Sequence, residues 1–346
     1  MKKKIAKYLY IVLLIVTSCK INDDKRLETI QTKRDNIIDV SKDIIDIKTS
    51  ILLGNCFLYI IDNYLVISEN SPCGDKGIHI FNKNTFEYIT STGIIGKGPG
   101  EVTRQGRIGV DHKNKILWVS DHGKQVMWKF PLDSILNNNM YKPTEKLDLL
   151  NNLFIERYDF LNDSIALGKA VHVLSTDSYD MVTAKLNLHT NVTEIFGYEH
   201  PNAIGKKSNS FFALSLKDSI YVNCYSNCDL MTICNLNGNL KCNIVGPDGL
   251  ENKNYKKVYY SGIDIIKTYI IASYIGNATF YYDDFKRLKG NLPSKFLIFD
   301  KEGNYKETLE TGSKFTYFCI DEDNNRIIVY FDGRENPLAY FNFKIN

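Results

Sequence analysis

The sequence contains no apolar run long enough to cross a membrane and no block of like charge. Its longest apolar stretch, Tyr8 to Val16, falls well short of the roughly 20 residues that a membrane helix needs. Lysine and arginine total 43 against 40 aspartates and glutamates, and a net charge of +3 over 346 residues argues against nucleic acid as a partner. Tryptophan is scarce, with 2 residues, whereas 22 tyrosines and 18 phenylalanines favour strands.

Histidine and cysteine lack the spacings of metal sites. None of the 6 histidines has another histidine four residues away, and Cys224 and Cys228 have three residues between them in a stretch without histidine. We therefore predict no metal site, no cofactor and no catalytic residue. A disulfide between Cys234 and Cys242 is possible across a hairpin, although buried free thiols are the simpler interpretation.

The N-terminus resembles a bacterial lipoprotein signal with its lipobox. Lys2 to Lys4 precede the apolar run, and Cys19 follows it after small residues. The resemblance implies a signal peptide over residues 1–18 and a lipidated Cys19; an uncleaved membrane helix is the alternative. The polar, acidic residues 20–24 are similar to signals that send lipoproteins of Bacteroidota to the cell surface. We therefore expect an outer-membrane lipoprotein, with residues 19–35 as a lipid-anchored tether.

A pattern of short apolar runs recurs about every 50 residues, which is the period of propeller blades. It is clearest from Ile108 to Phe130, where polar turns separate three runs, as in consecutive antiparallel strands. The other five repeats begin near Phe57, Ile155, Phe211, Ile263 and Phe315. The repeats predict an all-β chain, with a six-bladed β-propeller over residues 36–346.

The final repeat lacks its fourth strand. Leu338 to Phe343 supplies the third strand, whereas Asn36 to Val40 and Ile44 to Ile47 precede the first repeat without a hairpin partner. A ring without open edges results when one terminus supplies the strand that the other lacks. We therefore predict that an N-terminal strand closes the last blade. A β-sandwich with additional hairpins is the alternative.

Two stretches depart from the repeat. Asp133 to Asn151 is predicted as a loop or one helical turn, and Ile275 to Pro293 as a second long connection. Binding groups usually lie on long loops at the rim of a rigid scaffold, so both stretches are candidate binding regions.

A glycine-rich run from Gly96 to Glu101 joins the first two repeats. A phosphate-binding loop would need a helix N-terminus after it, but here the following segment is extended and Pro99 removes a backbone donor. We interpret the run as a structural interblade loop in which Gly98 and Gly100 take positive φ. The residues assigned to this loop are Gly96, Gly98, Pro99, Gly100 and Glu101.

Two other sets of polar residues are weighed as sites. Asp121 and His122 follow the second strand of a repeat, where side chains can reach a propeller rim, and Trp118 lies within that strand. These three are the candidate rim residues. Asp321 to Asn325 alternates oxygen ligands as a calcium loop does, but it lacks the central glycine and the distal glutamate. We interpret it as a solvated turn.

The glycine run, the strand Ile108 to Asp111, the segment Trp118 to Asp121 and Tyr274 to Gly276 resemble the six-bladed, TolB-like propeller lipoproteins of Bacteroidota. The resemblance covers nearly all of the mature chain and implies the fold and the lipidation, but it carries over no catalytic residue. We expect a binding or scaffold module that is anchored to the membrane by its lipid and takes an extracytoplasmic glycan, peptide or protein. The alternative is a propeller enzyme such as a polysaccharide lyase, a glycosidase or a calcium-dependent lactonase.

Overall fold

The computed structural model describes residues 27–149, 153–204, 209–252 and 256–344. The predicted signal peptide, Cys19 and the first part of the predicted tether lie outside these ranges. Within them the chain forms 28 strands, one short helix and one 3-10 turn, which confirms the predicted all-β class. No helix in these ranges has the length and apolar character needed to cross a membrane.

Three short strands precede the repeats and lie on the outside of the ring. They are β1 (Glu28–Ile30), β2 (Ile37–Asp39) and β3 (Ile45–Asp46), and the 3-10 turn Ser41–Asp43 separates the last two.

The first three blades are four-stranded antiparallel sheets whose strands follow one another in sequence order. Blade 1 contains β4 (Cys56–Ile61), β5 (Tyr64–Glu69), β6 (Lys76–Asn82) and β7 (Tyr88–Ile94). Blade 2 contains β8 (Gln105–Asp111), β9 (Ile116–Asp121), β10 (Val126–Pro131) and β11 (Lys146–Asp148), with helix α1 (Leu132–Asn137) before its last strand. Blade 3 contains β12 (Leu153–Phe160), β13 (Ile165–Ser175), β14 (Ser178–Asn187) and β15 (Val192–Ile195).

The last three blades repeat this meander with N-terminal strands added to each. Blade 4 contains β16 (Ser210–Ser215), β17 (Ile220–Tyr225), β18 (Leu230–Asn235) and β19 (Leu240–Val245). Blade 5 contains β20 (Lys257–Ile266), β21 (Tyr269–Ala278), β24 (Lys295–Asp300) and β25 (Tyr305–Glu310), and its second connection forms a separate hairpin of β22 (Phe280–Tyr282) and β23 (Leu288–Gly290). Blade 6 contains β26 (Phe315–Asp321), β27 (Arg326–Phe331) and β28 (Leu338–Asn342).

The ring is closed by β3, as the sequence predicted. Ile45 and Asp46 lie opposite Tyr340 and Ala339 in an antiparallel pairing with β28, which gives blade 6 its fourth strand. The Ile47 amide extends this pairing by donating to the Leu338 carbonyl at 2.8 Å. The chain is thus a six-bladed β-propeller, and the sandwich alternative is wrong.

The segment Asn36 to Val40 contains β2, but neither its partner nor the strand β1 was predicted. β1 pairs in parallel with β19 of blade 4, and β2 pairs in parallel with β25 of blade 5. Residues 27–31 and Arg34 of the predicted tether therefore contact the propeller. The physical reason is that the outermost strand of a blade presents unpaired N–H and C=O groups, which a short extended segment can satisfy.

The local turn chemistry agrees with the predicted hairpins. Between β18 and β19, Gly238 has a φ of +88°, which an L-residue rarely adopts, and its amide donates to the Asn235 carbonyl at 2.9 Å. The disulfide considered across this hairpin is absent, because Cys234 lies opposite Leu240 and all seven cysteines in the described ranges are free thiols.

The core lies between consecutive blades, where the apolar faces of neighbouring sheets meet. Between blades 5 and 6, for example, the Phe296 ring lies 4.6 Å from Phe315 and 4.9 Å from Phe318, measured between centroids. Similar clusters fill the other interfaces. Each blade is thus held by both neighbours, so the stability of the ring depends on its closure.

Arg34 joins the N-terminal segment to blades 4 and 5. Its Nη1 lies 3.0 Å from Oδ1 of Asp229, and its Nη2 donates to the Tyr260 hydroxyl at 3.1 Å. The hydroxyls of Tyr260 and Tyr274 donate to the same carboxylate at 3.2 and 3.0 Å. Burial opposes the charge of Arg34, but Tyr260 and Asp229 outweigh it and raise the pKa of the guanidinium. The two charged side chains are 7% and 0% exposed, so each depends on the other for compensation.

We predict that Ile45→Cys combined with Tyr340→Cys forms a disulfide, because these residues lie opposite each other in the closing pair. The bond would link the two ends of the propeller, and we expect a higher melting temperature, with a gain of about 2–4 kcal/mol typical of such links. Mass spectrometry of a tryptic digest identifies the bond. The pair Ile45→Cys and Asn342→Cys is out of register and is the control; equal crosslinking in both would contradict the register.

We predict that Arg34→Met lowers the free energy of unfolding by about 3–5 kcal/mol, because it leaves the Asp229 carboxylate buried without its cation. Urea unfolding followed by circular dichroism measures the change. Lys33→Met is the matched control, since Lys33 pairs with Asp35 at the exposed surface and should be neutral. If the two variants unfolded alike, Arg34 would not fasten the segment.

Candidate functional site

A central channel runs between the six innermost strands, β4, β8, β12, β16, β20 and β26. It encloses about 730 Å³ and is lined by residues of all six blades. Small-molecule sites usually enclose roughly 300–1,000 Å³, with a few polar groups on a largely preformed wall. The channel has the size of such a site, and its wall is held by the sheets rather than by loops.

Arg107 of β8 carries an uncompensated positive charge at the channel wall. Its guanidinium carbon lies 3.6 Å from the centroid of the Phe57 ring and 4.8 Å from that of Tyr317. Its side chain also interacts with the Tyr59 hydroxyl. In the ranges that the structure describes, no carboxylate forms an ion pair with Arg107. Stacking on two rings stabilises the cation and fixes its plane, but its charge stays available to a ligand.

Arg157 of β12 is the second arginine of the channel. Its guanidinium carbon lies 4.8 Å from the centroid of the Phe211 ring, and its Nη1 donates to the Ser210 carbonyl at 2.8 Å. Glu156 is its acidic neighbour, at 3.7 Å from Nη2. The buried Nε has no acceptor in the described part of the chain. Burial lowers the pKa of Arg157; Glu156 opposes this shift and the charge of Arg107 adds to it.

Two carboxyl groups lie toward the other end of the same channel. Asp159 is the penultimate residue of β12, and Asp264 is the third from the end of β20, whereas the arginines contact residues at strand starts. The blades repeat one meander around the axis, so the innermost strands run in the same direction. Burial raises the pKa of Asp159 to about 6, and burial, with further contributions from Asp159 and Glu322, raises that of Asp264 to about 7. The channel is therefore cationic toward one end and carries two carboxyl groups with raised pKa values toward the other.

The channel mouth beside the acids is bordered by ion pairs that join neighbouring blades. Lys115 bonds to Asp62 at 2.7 Å, and Lys113 bonds to Asp163 at 2.6 Å. Lys83 likewise contacts Asp323 of blade 6. These charges compensate one another, unlike that of Arg107 inside, which has no ion pair among the described residues.

The run from Asp321 to Asn325 is a turn, in agreement with its interpretation from the sequence. The Asp321 carboxylate accepts from Arg326 at 2.9 Å and from the Asn324 side chain at 2.8 Å, so it is already occupied. Across the four described ranges, no three His, Cys, Asp or Glu side chains are grouped to hold a metal ion.

The glycine run is held by the side chain at its own end. Glu101 accepts from the Gly98 amide and from Lys142 Nζ, both at 2.8 Å, and Lys142 lowers the pKa of the carboxyl. Gly100 has a φ of +65°, as predicted, but Gly98 does not take a positive φ. Gly96 and Gly98 are required for space instead, because an added Cβ would lie 2.1 and 2.9 Å from the Glu101 carboxylate. The run is thus anchored internally.

The three rim candidates lie away from the channel. The Asp121 carboxylate is fully buried and accepts the backbone amides of Thr103 and Arg104 at 2.9 and 3.0 Å, which fastens the connection between blades 1 and 2. The His122 ring packs edge-on to Phe154 at 6.5 Å. Trp118 is 8% exposed within the cluster between blades 2 and 3. None of the three lines the channel, so the structure does not bring them together as a ligand site.

Sequence reasoning missed the four charged residues inside the channel, Arg107, Arg157, Asp159 and Asp264. Three of them occupy predicted strands and Arg107 immediately precedes one, and all were passed over in favour of residues at turns and strand ends. One signal was present: a charged residue inside an otherwise apolar strand is costly unless it is paired or functional. Arg157 and Asp159 in one strand are the clearest case.

Fold and channel together define a six-bladed β-propeller with a charged central cavity. Among solved structures, a member of the duf4221 family from Bacteroides vulgatus is similar, with a TM-score of 0.59 and 10% identity, over 88% of this chain and 96% of that one. A candidate exported protein from Bacteroides fragilis has a TM-score of 0.54 and 12% identity, over 91% and 98%. A luciferin-regenerating enzyme has a TM-score of 0.52 and 10% identity, over 84% and 91%.

These likenesses establish the propeller fold. No protein-family profile matches the chain, and no curated protein matches it.

We predict that Gly100→Ala lowers the free energy of unfolding by about 1–3 kcal/mol. The residue has a φ of +65°, and an added Cβ would lie 2.6 Å from the carbonyl oxygen of Pro143. Urea unfolding measures the change. Gly74→Ala is the control, because Gly74 has open space around it and no positive φ; an equal loss in both variants would refute a special role for the Gly100 backbone.

Proposed function

We propose that the protein is a lipid-anchored, extracytoplasmic binding module that holds a small ligand in the central channel. The observation that carries this proposal is the pair Arg107 and Arg157, which are held in fixed positions on aromatic rings while one lacks any carboxylate partner in the described ranges. Buried or half-buried charges are normally paired. A rigid cation facing a cavity of about 730 Å³ is an arrangement that a ligand completes.

Binding is favoured over catalysis by the distribution of the charges. The only described acids in the channel wall with strongly raised pKa values are Asp159 and Asp264, and burial is the main cause of both shifts. A raised carboxyl pKa also suits a general acid, so a propeller glycosidase or lyase is the second candidate. A calcium-dependent lactonase is not supported, because the required ligand cluster is missing from the described ranges.

The location rests on the N-terminus. The resemblance of residues 1–19 to a lipoprotein signal supports anchoring through Cys19 at the outer membrane, and the polar residues that follow support exposure at the cell surface. The similar Bacteroides fragilis propeller, described as a candidate exported protein, supports a location outside the cytoplasm. In that place the available ligands are glycans, peptides and partner proteins.

We predict that members of a panel of monosaccharides, disaccharides and short peptides bind the full mature chain in ligand-observed NMR. Leu216→Trp should lower their affinity at least fivefold. Leu216 is 51% exposed at the channel mouth, so an indole there obstructs access without disturbing the core. The same spectra report chemical turnover, which would favour the enzyme alternative.

Ile195→Trp is the matched control. Ile195 is 54% exposed on β15, the outermost strand of blade 3, far from the channel. A panel without any binder, or a binder that both variants hold equally well, contradicts binding in the channel.

A further inference from the structure

We propose that the channel selects a carboxylate-bearing sugar, with its carboxylate held by Arg107 and Arg157 and its hydroxyl groups directed to the acidic end. This inference rests on the proposed function and adds the class of ligand. It follows from the charges of the two ends, from the donors that they leave free, and from the enclosed shape of the site.

The cationic end is built for a planar anion. A guanidinium presents its N–H donors in one plane and binds a carboxylate through two parallel hydrogen bonds. The planes of Arg107 and Arg157 are fixed by the rings of Phe57, Tyr317 and Phe211, at 3.6 to 4.8 Å from the guanidinium carbons. The buried Nε of Arg157 lacks an acceptor within the described residues. That nitrogen is shielded from the cavity, so a bound carboxylate would accept from the other donors of the two guanidinium groups that line the channel.

The net charge of this end indicates a single negative charge on the ligand. Arg107 and Arg157 supply two positive charges, and Glu156 lies 3.7 Å from Arg157 and offsets one of them. One unit of positive charge is left, because no carboxylate pairs with Arg107 in the described part of the channel. A phosphate monoester carries close to two negative charges at neutral pH, so it fits this balance less well than a carboxylate does.

The acidic end is suited to hydroxyl groups. Protonated Asp159 and Asp264 can each donate one hydrogen bond and accept others, which matches the alcohols of a sugar. Their ionised forms would repel an anionic ligand held in the same cavity. Because burial raises their pKa values to about 6 and about 7, they change from neutral to charged as the pH rises through that interval. Affinity for a sugar acid should therefore fall as the pH rises from 5.5 to 8.

The other acids, the lysines and the histidine that line the channel lie at the mouth beside these two acids. Asp159 and Asp264 face each other, and Glu322 faces Asp264. The remaining groups are Asp62, Lys83, Asp111, His112, Lys113, Asp163 and Asp323. Burial lowers the pKa of His112 below the ordinary range of an imidazole.

The test is isothermal titration of the full mature chain with glucuronate, galacturonate and digalacturonate, each against its neutral methyl ester. We expect the acids to bind at least tenfold more tightly than the esters at pH 6. Arg107→Gln and Arg157→Gln should each lower the affinity for the acids at least tenfold and leave the affinity for the esters nearly unchanged. Arg287→Gln is the matched control, because Arg287 lies on the exposed hairpin and pairs with Asp283.

Two further variants keep the test decisive if a glutamine variant fails to fold. Arg107→Lys and Arg157→Lys retain the charge but lose the planar donors, and each should weaken the acids about three- to tenfold. Asp159→Asn with Asp264→Asn should remove the dependence of affinity on pH. Melting temperatures measured beside each titration identify variants that are unfolded.

The outcomes separate this inference from the proposed function. If esters or neutral sugars bind as well as the acids and Leu216→Trp weakens them, the channel binds a ligand but the carboxylate inference is wrong. If phosphorylated or sulfated sugars bind more tightly than carboxylated ones, the inference is also wrong. If no compound binds, or binding is insensitive to Leu216→Trp, both proposals fail.

Discussion

The propeller depends on the covering of its strand edges by the N-terminal segment. Each blade is a meander whose outermost strand has unpaired backbone groups. The ring must also be closed where the two ends of the chain meet. The segment from residue 27 to residue 47 meets both needs, because β3 completes blade 6 while β1 and β2 cover the edges of blades 4 and 5. Arg34 holds the segment between its strands by pairing with Asp229 of blade 4. Backbone hydrogen bonds and one buried ion pair thus hold the N-terminal segment on the propeller.

Several charged side chains of the ring join neighbouring segments. Asp121, at the end of a second strand, and Asp229, just before a third strand, bind the segments that run past them. Lysines at the channel mouth pair with acids of the next blade. Inside the channel, Arg107 has aromatic rings as its neighbours instead of a carboxylate. A guanidinium that is held by rings and has no ion pair among the described residues supports the proposed anion site.

The sequence located the candidate rim residues through a signal that also marks structural residues. Asp121 lies at the end of a strand, where propellers place both ligand-binding residues and residues that hold loops. Only its hydrogen bonds from the Thr103 and Arg104 amides show that it holds a loop. The same holds for the glycine run, where positive φ was expected at Gly98 but the requirement is space beside Glu101. Turn chemistry therefore predicts the position of a glycine more reliably than it predicts whether that glycine provides a positive φ or space for a neighbour.

The sequence by itself determined the number of blades, the order of their strands and the closing strand near Ile45. These features follow from alternating apolar runs and turn residues, which act over a few residues and are therefore visible in one dimension. Only the tertiary structure decided which residues share the channel. Arg107, Arg157 and Asp264 come from three blades and meet because the ring brings the innermost strands to one axis. The role of these charges depends on neighbours such as Phe57, Tyr317 and Phe211, which are distant in sequence and adjacent in space.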